Sequence, residues 1–171
     1  MELKVYETAL AKYYKEQKIK SLPLIAWDFC SVFFDQTRDS FNDANLLTKI
    51  IQKNKGETSW SFPTELQQNT VIVVTNPNLE IVFASKNMIL MNGYKPKEVI
   101  GKTPRIFQGE LTDTVISKEI GTAIKNKQPF EKTIINYCKD GAIYKCHIKG
   151  YPIFNKEGEL TNFIAFEKIA A

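Results

Sequence analysis

The spacing of apolar residues along the chain changes near residue 70. Before that point apolar side chains recur every three to four positions, which is typical of amphipathic helices. After it, short runs of β-branched and aromatic residues are separated by turn sequences, which is typical of strands. The pattern therefore predicts an N-terminal helical extension, residues 1–66, followed by an α+β domain, residues 67–171.

Three helices are predicted in the extension. The first covers residues 3–17, and the second runs from Pro23, which suits a first helical turn, to about residue 34. The third follows the sequence SFNDAN, where Asn42 or Asp43 can cap a helix. The segment LPLIAWDFCSVFF is so apolar that it must be buried, either within its own chain or in a dimer interface.

The pattern of strands and turns in the second part of the chain predicts a five-stranded antiparallel sheet. TVIVVT and LEIVFA, joined by the turn NPN, form a hairpin. The last third of the chain gives three more strands, and the pair Asp140-Gly141 is a strong hairpin turn between two of them.

Helical segments separate these two groups of strands. Ser85 can cap a short helix that ends near Gly93, and KPKEVIG gives another turn. A longer helix follows, which Thr112 or Asp113 can cap. Because helices between strands must cover one face of the sheet, a pocket between sheet and helices is expected.

Composition excludes several classes of function. The net charge is +4 with the basic residues spread along the chain, so nucleic-acid binding is not expected. The longest apolar run has 13 residues and includes Asp28, which makes it too short to cross a bilayer. The cysteines Cys30, Cys138 and Cys146 have no metal-ligand spacing, and free thiols without a secretory signal predict a cytoplasmic protein. No nucleophile–base pair, phosphate-binding glycine loop or metal cluster is visible, so an enzyme is not predicted.

Several separated motifs give the second part a specific resemblance. The segments EIVFASKNMILMNGYKPKEVIG, GKTPRIFQGELTD, NYCKDG and NFIAFE resemble the PAS domain family, and within it the light-oxygen-voltage (LOV) flavin-binding subgroup. The likeness runs from Val71 to Lys168. It implies the PAS fold, a five-stranded antiparallel sheet with helices on one face, and a sensory role.

The resemblance also implies functional residues in the loop GKTPRIFQ. In LOV photosensors this loop reads Gly-x-Asn-Cys-Arg-Phe-Leu-Gln, and its cysteine bonds covalently to an excited flavin. Here Thr103 and Pro104 replace the Asn and the Cys, so that photocycle has no thiol to use. Arg105 matches the arginine that binds the flavin phosphate, and Gln108 matches the glutamine near the ribityl chain.

The remaining implied positions lie on strands. Asn136 matches an asparagine that hydrogen-bonds the edge of the flavin ring. Cys146 stands where the family has a second asparagine, and Glu167 stands where photosensors have the glutamine that senses flavin N5. Since an amide offers a donor and an acceptor whereas a thiol and an ionised carboxylate do not, recognition of the ring edge is altered.

Two side chains suggest other chemistry. His147 is the only histidine, but side chains alternate along a strand, so it faces away from the pocket if Cys146 faces in. This argues against a haem ligand. Cys138 and Cys146 lie on one predicted hairpin, either as a redox pair or as ordinary buried thiols.

Two hypotheses for function stay open. In the first, a cytoplasmic, non-catalytic PAS sensory or signal-relay module binds FMN or FAD without covalent chemistry. In the second, the pocket is empty or holds another small molecule, and the domain is a protein-interaction or dimerisation module. The expected partners are a second copy, through the N-terminal helices, and a separate signalling protein; neither nucleic acid nor membrane is expected.

Overall fold

The computed structural model describes residues 25–56, 66 and 70–170. The chain divides into two compact units, Met1–Asp35 and Gln36–Ala171. The predicted first helix, residues 3–17, lies outside the described residues, and so do residues 57–65. The proposed boundary at residue 66 stays a prediction.

Two of the predicted helices form one continuous helix. Helix α1 spans Ile25–Lys53 without interruption, so the predicted cap at Asn42 or Asp43 is wrong. No proline or glycine occurs between residues 24 and 55 to break the hydrogen-bonding ladder. Asp43 instead lies in the middle of α1, where its carboxylate accepts a hydrogen bond from the backbone N–H of Lys86 at 2.6 Å.

The sheet has five strands in the spatial order β2-β1-β5-β4-β3, and all neighbouring strands are antiparallel. The strands are β1 (Val71–Thr75), β2 (Ile81–Ala84), β3 (Phe130–Tyr137), β4 (Ile143–Phe154) and β5 (Leu160–Ile169). The N-terminal hairpin and the three C-terminal strands join through the pairing of β1 with β5. This confirms the predicted fold class and places β5 at the centre.

Four helical segments connect β2 to β3. They are α2 (Met88–Asn92), α3 (Pro96–Val99), a 3-10 helix (Pro104–Phe107) and α4 (Thr114–Lys125). Asp113 caps α4 as predicted, since its carboxylate accepts hydrogen bonds from the N–H groups of Val115 and Ile116.

The predicted cap of α2 is wrong. Ser85 is buried, and its hydroxyl accepts from the N–H of Ile72 at 2.9 Å and donates to Asn87 at 2.5 Å. It therefore ties β1 to the start of the helical region, and Asn87 takes the N-cap position. The predicted end of this helix is confirmed, because Gly93 adopts the left-handed conformation that glycine permits.

Both faces of the sheet are buried. All five residues of β1 are buried although their side chains alternate between the faces, which explains the unbroken apolar run VIVV. One face packs against Leu47 and Ile51 of α1. The other packs against the helical segments through Met88, Val99 and Phe107. The second half of α1 is therefore a cover for the sheet of its own chain.

None of the helices in the described ranges combines the length and the apolarity that a membrane crossing requires.

Candidate ligand-binding site

A mostly apolar cavity of about 100 Å³ lies between the sheet and the helical segments. Its wall combines strands β1, β3, β4 and β5 with the 3-10 helix and α4. The apolar lining includes Val73, Phe107, Ile120, Ile124, Ile134, Ile148, Phe163 and Ala165. Four polar side chains interrupt this wall, those of Thr75, Gln108, Asn136 and Glu167.

Strand pairing explains how distant positions in the sequence meet here. Glu167 pairs with Val71 of β1 on one side and with Ile148 of β4 on the other. Asn136 pairs with Tyr144 at the far end of the β3–β4 ladder. Because side chains at alternate positions share one face, these inward positions surround a single space.

The structure gathers only some of the predicted site residues around the cavity. Gln108, Asn136 and Glu167 line it, while Cys146 is fully buried next to Glu167. Thr103 and Arg105 are exposed on the loop and do not belong to the lining.

Pro104 forms part of the cavity wall, at the loop position where the resemblance places a reactive cysteine. A proline ring offers neither a nucleophile nor an acidic proton. The wall of the cavity at this point is therefore chemically inert.

Glu167 is a buried carboxyl group without a cationic partner among the described residues, and only 5% of it is exposed. Burial raises the pKa of Glu167 to about 7, and a hydrogen bond from the thiol of Cys146, with Sγ and Oε2 3.7 Å apart, opposes this shift. In its neutral form the carboxyl offers one donor and one acceptor, as an amide does. The contrast with glutamine drawn from the sequence therefore applies only to the ionised form.

Neighbouring titratable groups are also held neutral. Burial raises the pKa of the Cys146 thiol and of the Tyr144 phenol, and the carboxyl of Glu167 adds to both shifts. Asn92 on α2 donates a hydrogen bond to the Tyr144 hydroxyl at 3.4 Å. Cys146 is thus a poor nucleophile, since the thiolate is the reactive form.

Thr75 is a polar lining residue that sequence reasoning did not identify. Only 6% of it is exposed, and its hydroxyl has no hydrogen-bond partner among the described residues. An unpaired buried hydroxyl is costly, so it indicates a missing partner in the cavity. The only signal in the sequence is a polar residue at the end of the run VIVVT, which a strand end explains equally well.

Phe130 limits the volume of the cavity. Its ring lies against Gly150, its partner across the β3–β4 ladder, and a Cβ at Gly150 would overlap the ring. Phe130 lines both the cavity and a groove formed by α4 and the start of β3. Phe130 therefore contributes to the walls of both.

The described residues do not form the two other sites considered from the sequence, a histidine facing the cavity and a pair of cysteines within disulfide reach. His147 lies outside the lining and its Nε2 is 2.9 Å from Glu131, so the expectation that it faces away from the cavity is confirmed. Cys146 pairs with Ile134, which places Cys138 about 13 Å further along the hairpin, beyond disulfide reach. Within the described residues no group of His, Cys, Asp and Glu has the arrangement of a metal site.

Comparison with known proteins agrees with this architecture. The family model described as "PAS domain" matches residues 68–168, more than half of the sequence. The chain therefore belongs to the PAS domain family.

Proteins of similar sequence include a phototropin and a blue-light-activated histidine kinase. Phototropin-2 of Oryza sativa subsp. japonica is 34% identical over 105 residues, which are 61% of this chain and 12% of that protein. A blue-light-activated histidine kinase of Brucella canis is 34% identical over 97 residues, 55% of this chain and 20% of that protein. The chain thus spans only a minor part of the length of these relatives.

Solved structures share the fold. The LOV domain of a blue-light activated histidine kinase from Erythrobacter litoralis superposes with a TM-score of 0.57 at 23% identity, covering 60% of this chain and 96% of that domain. At this identity the likeness concerns the fold alone.

Proposed function

We propose that this chain is a non-catalytic PAS sensory or signal-relay module whose cavity binds a flavin nucleotide without a covalent bond. The observation that supports this is the convergence of Gln108, Asn136 and Glu167 on one apolar cavity. Amide groups and a neutral carboxyl both donate and accept hydrogen bonds, which suits the alternating donors and acceptors along the edge of a flavin ring. The hydroxyl of Thr75 in the same wall is a further polar group, and it has no hydrogen-bond partner among the described residues.

The polar groups of the lining suit a flavin, but the volume of the cavity is small for one. A cavity of about 100 Å³ is smaller than the roughly 300–1,000 Å³ of typical small-molecule sites. Entry of a ring system requires side chains of the wall to move, and Phe130 is the best candidate because it lines both the cavity and an open groove beside α4. The proposed site therefore widens when the ligand binds.

Two loop residues take different roles in this proposal. Arg105 is exposed on the 3-10 helix next to the cavity wall, where its guanidinium would bind a ligand phosphate outside the apolar space. Pro104 keeps a bound flavin free of covalent attachment at this position. The flavin, when bound, would supply the absorption of blue light and redox chemistry.

The absorption spectrum of the purified chain, before and after incubation with FMN or FAD, tests this function. We expect a band near ~450 nm that stays with the protein through gel filtration. Asn136→Ala and Gln108→Ala should release the flavin, while His147→Ala, outside the cavity, should retain it. A protein that never retains the band would contradict the proposal.

One observation favours a second function, a ligand-free interaction module. The cavity of about 100 Å³, with the ring of Phe130 packed on Gly150 in its wall, is smaller than typical small-molecule sites. Under this alternative Phe130→Ala would still bind no flavin, whereas under the first proposal it enlarges the cavity and tightens binding. The spectrum of the Phe130→Ala variant therefore distinguishes the two functions.

The finer partner assignments belong to the same proposal. We infer a homodimer through the N-terminal helices, a separate signalling protein as the recipient of the signal, and a cytoplasmic location. The kinase among the relatives supports signal relay as a role, since its matching segment is part of a blue-light-activated histidine kinase.

A further inference from the structure

Glu167 has hydrogen-bonding capacity that the described residues leave unused. Its carboxyl lines the cavity, and its single hydrogen bond among the described residues comes from the thiol of Cys146 at 3.7 Å. A thiol is a weak donor, and a carboxyl group has positions for several partners. Because buried polar groups are normally satisfied, the remaining capacity indicates a partner inside the cavity.

The surroundings of Glu167 favour its neutral form. It is the only ionisable residue in the described lining, and its neighbours Cys146 and Tyr144 on β4 are kept neutral by burial. Lys132 of β3 shares this face of the sheet by strand alternation, but its ammonium binds Glu119 of α4 at 2.6 Å. No positive charge of the lining therefore compensates an ionised Glu167, and burial raises its pKa to about 7.

We propose that Glu167 acts as a neutral acid that donates a hydrogen bond to an acceptor atom of the cavity ligand, so that binding above neutral pH takes up one proton. This inference rests on the proposed flavin site and adds a determinant of specificity to it. The ligand edge that meets Glu167 must present an acceptor, since an ionised carboxylate would repel the same atom.

Titration of the chain, residues 1–171, with FMN at a series of pH values tests this. In the wild type the Kd should be nearly constant below pH 7 and rise about tenfold per pH unit above it, the slope that uptake of one proton requires. In Glu167→Gln the side-chain amide can donate a hydrogen bond at every pH. Its Kd for FMN should therefore not change with pH through position 167, and at pH 8.5 the variant should bind FMN more tightly than the wild type. The FMN phosphate titrates near pH ~6 and affects the wild type and the variant equally. The difference between their Kd values at each pH therefore reports on Glu167 alone.

Calorimetry in two buffers of different ionisation enthalpy gives an independent readout. At pH 8 the wild type should take up close to one proton per FMN bound, and Glu167→Gln should take up none. Cys146→Ala removes the hydrogen bond that favours the ionised form, so the rise in Kd should move to higher pH. This variant keeps the test available if Glu167→Gln does not fold.

The outcomes separate the two proposals. FMN binding by the wild type with a pH-independent Kd, or with the same slope in Glu167→Gln, would overturn the role of Glu167 and leave the flavin site intact. Absence of FMN binding by wild type and variants at every pH would overturn the flavin site and this inference together.

Discussion

Glu167 lies on the central strand with its carboxyl away from solvent, and this position couples folding to pH. Its pKa is about 7 in the folded chain and near 4.5 as a free side chain. Below pH 4.5 the carboxyl is protonated in both the folded and the unfolded chain, and folding carries no penalty. As the pH rises from 4.5 to 7 the unfolded chain ionises first, so the contribution of Glu167 to stability is progressively lost.

This predicts the pH dependence of stability for Glu167→Gln. The difference in free energy of unfolding between the variant and the wild type should shift in favour of the variant by roughly 2–3 kcal/mol from pH 5 to pH 8. Urea denaturation at the two pH values measures the gain. Glu98→Gln is the control, because a hydrogen bond from Lys139 lowers the pKa of Glu98. Glu98 is therefore ionised in both the folded and the unfolded chain over this range, and its substitution should give almost no pH-dependent gain. Equal gains in both variants would show that Glu167 is not the titrating group.

Asp43 illustrates how tertiary contacts reassign a residue. In the sequence it is a candidate helix cap, and in the structure it accepts the N–H of Lys86 from a position inside α1. Burial raises its pKa, whereas the backbone hydrogen bond and the charge of Lys86 oppose that shift. The side chain of Asp43 thus connects two segments of the fold and does not cap a helix.

At the scale of elements, α1 and β5 organise the domain. β5 pairs with both β1 and β4, and it carries residues for both faces: Ile164 and Phe166 toward α1, Ala165 and Glu167 toward the cavity. Movement of β5 would therefore alter the packing of α1. This adjacency is a physical route by which a ligand in the cavity can change the surface of the domain.

The packing of α1 on the sheet predicts a sharp difference between two adjacent leucines. Leu47 is fully buried against the sheet, whereas half of Leu46 is exposed. Leu47→Ala should destabilise the chain by about 3 kcal/mol, because it leaves a cavity between helix and sheet. Leu46→Ala, the matched control, should cost below about 1 kcal/mol. Thermal or urea denaturation checks both, and equal effects would contradict the packing of α1 in its own chain.

At the scale of the whole molecule, we expect the two units on either side of the division at Asp35 to differ in role, one in folding and the other in self-association. The unit Gln36–Ala171 contains both hydrophobic clusters of the sheet and the cavity. The unit Met1–Asp35 contains the whole apolar segment LPLIAWDFCSVFFD, for which the sequence predicts burial either within its own chain or in a dimer interface. We therefore expect folding and self-association to depend on different parts of the chain.

Removal of residues 1–35 tests that expectation. The shortened chain should retain its sheet and its cooperative unfolding, because its cores lie within residues 36–171. Its dimerisation should weaken at least tenfold if the N-terminal helices form the interface. Sedimentation velocity over a range of concentrations, with circular dichroism for folding, measures both. A wild type that is monomeric at all concentrations would contradict the proposed homodimer.

Local patterns were sufficient for much of this protein. Strand alternation, the turn at Asp140-Gly141, the cap at Asp113 and the spacing of the loop motif around Pro104 all act over a few residues, so the sequence displays them directly. The family and the five-stranded sheet follow from these local features. Gln108 and Asn136, which the resemblance implies as cofactor contacts, both line the cavity, and their contact with a cofactor stays a prediction.

Other features exist only once distant segments meet. The raised pKa of Glu167, the hydroxyl of Thr75 without a hydrogen-bond partner among the described residues, and the ring of Phe130 against Gly150 depend on contacts across the sheet. Burial and pairing set them, and neither is encoded in a short window of sequence. The sequence alone determined which fold and which family this chain adopts, while the tertiary structure decided which side chains share the cavity, because strand register brings them together.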